Sequence, residues 1–149
     1  MKIRGSLSRP TIDTYLEETT VPVRVSCHTP SGGLWMLSLW YLWDDGTIRC
    51  ATSADADVVR YLEHDPSVAF EISSNEPPYV GVRGSGTASI APDSEKALLG
   101  TLIERYLGGT DSELAQRLLD PDRSEVEITI EPRVVYGWDF SPRMAESGN

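Results

Sequence analysis

LWMLSLWYLW, residues 34–43, is the stretch on which the fold turns: of its ten residues only Ser38 is polar. Read at a period of two, one face carries Trp35, Leu37, Leu39, Tyr41 and Trp43. The other carries Leu34, Met36, Ser38, Trp40 and Leu42. A strand that is apolar on both faces has to be covered on both. In so short a chain, a barrel interior covers one face and a partner subunit or helix covers the other. Asp44-Asp45-Gly46 then reverses the chain, because an Asp-Gly step tolerates positive φ. Residues 47–52 read as the return strand. Residues 53–64 have helical spacing at Val58, Val59 and Leu62, with a capping residue at Ser53 or Asp55. Asp65-Pro66 stops that helix, and residues 67–73 read as another strand.

Outward from this centre the pattern stays β-rich. On the N-terminal side, residues 10–19 form a helix with Ile12, Tyr15 and Leu16 on one side. Residues 21–26 form a strand, which Pro22 places at a sheet edge. Residues 28–33 are a turn. On the C-terminal side, Asn75-Glu76-Pro77-Pro78 is a rigid loop and residues 79–90 a long strand. Gly81, Gly84 and Gly86 mark a bulge or a close backbone approach in it. Pro92-Asp93-Ser94 opens a helix that runs to Leu107 on a stripe of Leu98, Leu99, Leu102, Ile103, Tyr106 and Leu107, and Gly108-Gly109 ends it. A second helix spans 112–119. The last strand, 125–138, alternates Val126, Ile128 and Ile130 with a solvated face of Glu125, Glu127, Thr129 and Glu131. The reading is a mainly β, α+β fold of about six strands and three to four short helices. It makes one domain over 1–149, with 1–9 and 141–149 as flexible tails.

Charge and composition exclude several functions. The net charge is −10 and the isoelectric point about 4.5, so the surface repels nucleic acid. No window of about 18 apolar residues offers a membrane span. No apolar run follows Lys2, Arg4 and Arg9, so no leader is expected and the location reads as cytoplasmic. The basic residues are 11 Arg and, as Lys, only Lys2 and Lys96. This acidic, lysine-poor surface suits a halophile's high-salt cytoplasm and equally suits high-GC codon usage. Cys27 and Cys50 have no metal-ligand spacing and read as buried thiols. Cys27 and His28 are adjacent in a strand and point to opposite faces, so they do not share a metal. No metal site is expected. His28 and His64 are the only histidines and neither accompanies a nucleophile elbow; His64 sits at a helix end, where it caps the dipole.

Three pieces in order, LWYLWDDGTIRCAT, RYLEHDPSVAFEI and PPYVGVRGSGTASI, resemble the pyridoxamine 5′-phosphate oxidase-like family, the FMN-binding split β-barrels. The downstream helix and the closing VVYGWDF fit as well. The resemblance spans about residues 21–140. It implies a six-stranded antiparallel split barrel that forms a homodimer, with flavin sites at the subunit interface. It implies a flavin-dependent oxidoreductase in which hydride passes between interface-bound FMN and a small organic substrate. Carried over residue by residue, it puts Thr52 and Ser53 near the cofactor phosphate and Arg60 as counter-charge. Trp40 and Tyr41 fall at the ring edge, and Trp138 near the partner subunit's flavin. The family's basic phosphate clamp falls here on Met36 and Tyr41 in the strand and on Ala56, Asp57 and Val58 in the helix. Asp55 and Asp57 oppose a phosphate there by about 1–4 kcal/mol per charge. That departure motivates an alternative: a non-catalytic or differently loaded dimer that takes deazaflavin F420, haem or another ligand.

Overall fold

The computed structural model describes residues 1–147. In chain order these form β1 (Lys2–Gly5), α1 (Arg9–Glu18), β2 (Val23–His28), β3 (Leu34–Leu39), β4 (Leu42–Asp44), β5 (Thr47–Ser53) and α2 (Asp57–His64). There follow β6 (Ser67–Ser73), β7 (Val80–Pro92), α3 (Ala97–Leu107), α4 (Glu113–Leu118), β8 (Glu125–Asp139) and α5 (Ser141–Ser147). Hydrogen bonding orders the strands β3-β2-β6-β7-β8-β5-β4. The two ends of that order, β3 and β4, are separated in sequence by Trp40 and Tyr41 alone. One kinked segment thus joins the sheet's edges and closes a barrel, which removes most of the open edge.

The stretch expected as one strand over 34–43 is therefore two. Barrel closure imposes the break: β3 pairs with β2, while β4 pairs with β5. At the kink the Tyr41 amide has left the ladder. It donates instead to the Tyr106 hydroxyl of α3 at 3.3 Å, so the bend leaves no orphan donor. Tyr106 also stacks on Trp40, with centroids 5.2 Å apart and planes within 7°. The turn after β4 follows the sequence reading: Asp45 and Gly46 both have positive φ, 47° and 83°.

Period-two burial builds the core. Val23, Val25 and Cys27 of β2, Ile48 and Cys50 of β5, Val68, Phe70 and Ile72 of β6, and Ile128 and Ile130 of β8 point inward. Ile12 and Leu16 of α1 and Val58, Val59 and Leu62 of α2 join the same cluster. In β7 the glycines admit close neighbours. A Cβ on Gly84 would lie 2.7 Å from the Phe70 ring, and one on Gly86 would lie 2.3 Å from the Glu131 carbonyl. The expected bulge falls between Ser85 and Gly86.

Several elements depart from the sequence reading. Residues 2–5, expected within a tail, form β1 and pair in parallel with β8, Lys2 opposite Val134. Residues 141–147 form a helix, and positions 148 and 149 lie outside the described residues. Helix α2 starts at Asp57, not at Ser53, and its cap Ala56 makes no side-chain bond. Strand β2 is interior, between β3 and β6, because Pro22 falls just before it and costs no ladder bond. With β1 and the split of 34–43, the sheet has eight strands.

Candidate functional site

Where the kinked strand crosses from β2 to β5, the ends of β3 and β5 diverge and leave a cleft of about 310 Å³. Ser38, Leu39 and Trp40 line one side, and Ala51, Thr52 and Ser53 the other. Leu99 of α3 and Leu114 and Leu118 of α4 form an apolar wall, and Arg123 and Glu125 stand at the start of β8. The wall is fixed by buried packing of Leu99, Ile103 and Ala115 with Trp40 and Leu118. Asp93 holds α3 in place: its carboxylate is buried and accepts from the amides of Leu98 and Leu99, both at 3.0 Å. Two of the helix's free N–H groups are thereby satisfied, as a capping residue does.

The polar lining is mostly neutral. Ser53 Oγ accepts from the Asp55 amide at 3.3 Å. The hydroxyls of Ser38 and Thr52 have no hydrogen-bond partner among the described residues. Glu125, expected on a solvated face, has a side chain only 1% exposed. Its Oε1 accepts from Arg123 Nε at 3.2 Å and lies 3.1 Å from Nη2 in an ion pair. Arg123 is the one cation among the described residues that line the cleft, and this ion pair cancels it. Glu127, likewise expected on the solvated face, is bound by Arg49 at 2.6 Å.

The sequence-derived site residues separate into two groups. Trp40, Thr52 and Ser53 meet in the cleft. Tyr41, expected at the ring edge, is instead fully buried in the core, and its hydroxyl donates to the Leu16 carbonyl at 2.7 Å. Burial raises its pKa. Arg60 is exposed and bound to Asp57 at 2.5 Å. Trp138 lies on β8 across Gly81, with the Arg83 guanidinium 4.3 Å from its ring centroid, and it does not line the cleft. Of the clamp positions, Met36 is exposed on β3, Val58 is core, and Asp57 opens α2. His28 lines a separate hollow with Ser85 and Arg133. Sequence reasoning missed Ser38, Arg123, Glu125 and the leucines of the wall. The pairing of Ser53 with Glu125 brings Arg123 and Glu125 there, and that register leaves no local mark in the sequence.

Among the described residues, no cluster of His, Cys, Asp or Glu is placed to hold a metal ion. None of their helices is long and apolar enough to cross a membrane. No protein-family model matches the chain, and neither does any curated protein sequence. Solved structures match it over most of its length. A conserved hypothetical protein from Mycobacterium tuberculosis superposes with a TM-score of 0.74 at 23% identity, covering 93% of this chain and 90% of the other. An F420 reductase gives 0.68 at 23% identity, over 81% and 93% of the two chains. A Listeria innocua protein that carries the name of a pyridoxamine 5′-phosphate oxidase gives 0.63 at 16% identity, over 83% and 93%. With its barrel closed by one kinked strand and a cleft at the split, the chain has the split-barrel fold of the pyridoxamine 5′-phosphate oxidase-like proteins.

Proposed function

We propose that this protein is a homodimeric oxidoreductase that binds a flavin-type ring in the cleft at the split of its barrel. The carrying observation is the cleft itself: Trp40, Thr52 and Ser53 meet there opposite an apolar wall of Leu99, Leu114 and Leu118. A slot with apolar walls and a few placed hydroxyls suits a planar conjugated ring with a polar edge. Ser38 and Thr52 supply hydroxyls for that edge, and the leucines and Trp40 exclude water from the ring faces. A flavin bound there supplies hydride transfer to or from a small organic substrate. The fold's occurrence in an F420 reductase supports the redox class.

The residues fit the ring end of FMN and do not fit its phosphate. Among the described residues, the one cation that lines the cleft and the arginine of α2 are each paired with a carboxylate, Arg123 with Glu125 and Arg60 with Asp57. The haem reading finds no His, Cys or Met among the described residues that line the cleft. The dimer draws support from β3, where Leu34 and Met36 stand 75% and 66% exposed on an apolar strand.

The test is an absorbance spectrum of freshly purified protein, followed by titration with lumiflavin, the bare ring. The expected result is the visible bands of oxidised flavin, or saturable binding with a shifted, quenched flavin fluorescence. A colourless protein that leaves lumiflavin fluorescence unchanged at every concentration removes the oxidoreductase reading.

A further inference from the structure

We infer that the cleft selects a flavin-type ring whose tail carries no phosphate, a neutral hydroxylated tail of the riboflavin kind, and discriminates against FMN and against anionic deazaflavins. This rests on the ring-binding reading above and adds the charge of the ligand. Three observations carry it. First, Glu125 lines the cleft with a side chain 1% exposed and lies 3.1 Å from Arg123, so the one cation among the described residues of the lining is already paired with a carboxylate. The pair is neutral as a whole, so the cleft offers a phosphate dianion no free positive charge to offset the loss of its hydration. Second, the first turn of α2, four residues along the chain from Ser53 of the cleft, carries Asp57, whose carboxylate engages Arg60 at 2.5 Å. The helix dipole there already has its anion. Third, Ser38 and Thr52 offer hydroxyls without protein partners among the described residues, and those match a tail of hydroxyl groups better than they match two negative charges.

Riboflavin and FMN share one ring and differ by the phosphate, so their affinity ratio isolates the charge. Fluorescence-quenching titrations of the full chain are run with both at low salt and at 1 M salt. Riboflavin is expected to bind at least tenfold more tightly than FMN at low salt, with the ratio shrinking at 1 M as surface charges are screened. In Glu125→Gln the ratio is expected to move at least fivefold toward FMN, because Arg123 is then free for the phosphate. The ratio is read within each protein, so a general loss of packing does not mimic the shift. FMN binding as tightly as riboflavin, or more tightly, overturns the inference and leaves the ring-binding reading standing. A ratio unmoved by Glu125→Gln also overturns it. If neither compound binds, the function proposed above and this inference fall together.

Discussion

Glu127 is the residue whose charge the barrel uses most directly. Arg49 reaches across from β5 to donate to it at 2.6 Å, and the two side chains are 30% and 20% exposed. That hydrogen bond, reinforced by the Arg49 charge and opposed by burial, holds the Glu127 carboxyl below its ordinary range. A depressed carboxylate contributes stability that is fully present above its unfolded pKa of about 4.3 and is lost as pH falls through the folded value. Glu127→Gln is therefore expected to cost about 0.5–1.5 kcal/mol at pH 7. The difference from wild type should narrow in urea melts as pH is lowered from 7 through the carboxylate range; a gap unchanged by pH would mean the ion pair is not its source. Gly81 is a second residue with a sharp steric role. A Cβ there would lie 2.6 Å from Trp138 Cζ2 and 2.5 Å from Ser73 Cβ. Gly81→Ala is expected to cost about 1–3 kcal/mol by overpacking and to shift tryptophan emission as Trp138 lifts away. Unchanged emission and stability would show that the strand relaxes around the methyl group.

At the scale of elements, α3 connects the closed barrel to the cleft. Its first amides hang on the Asp93 carboxylate, its Tyr106 pins the kink at Tyr41, and its Leu99 forms cleft wall. Asp93→Ala leaves two buried amides without a partner and is expected to cost about 1–3 kcal/mol. It should also weaken ring binding, since the wall moves with the helix, whereas Asp93→Asn keeps one acceptor and should lose less. Calorimetric melts and lumiflavin titration of both variants check the order; equal effects from Asn and Ala would remove the capping account. Most of these elements were legible. Strands such as β6, with Val68, Phe70 and Ile72 inward, and the stripe of α3 announce themselves by period. The break in residues 34–43 was not, because both halves are equally apolar and the kink comes from closure and from Tyr106, far away in sequence. Nor was β1: KIRG has a single apolar residue, and its order comes from pairing with β8. In the cleft, Thr52 and Ser53 were legible through the family resemblance. Glu125 was not, because alternation places it on an outer face, whereas the fold buries its side chain beside Arg123.

At the scale of the whole molecule, the unsatisfied surface is β3. The sequence demanded cover on both faces of residues 34–43, and the fold buries Tyr41 and Trp43 but leaves the start of β3 open. Leu34, Trp35 and Met36 remain 75%, 39% and 66% exposed on a protein of net charge −10. Self-repulsion at that charge opposes association in dilute salt. A dimer here therefore has to draw on apolar contact, and a stable interface of this kind buries about 1,200–2,000 Å². The expected state is a dimer at micromolar concentration whose dissociation constant falls as salt screens the repulsion. Leu34→Glu with Met36→Glu puts two charges on each copy of the strand, where pairing across a two-fold axis brings like charges together. The double variant should raise the dissociation constant at least a hundredfold in sedimentation equilibrium. Its unfolding free energy as a monomer should stay within about 0.5 kcal/mol per site of the wild-type monomer's, because both positions are at the surface. A wild-type chain that sediments as a monomer at every salt concentration would remove the dimer. A double variant that dimerises as tightly as wild type would move the interface off β3, and the apolar strand would then need some other cover.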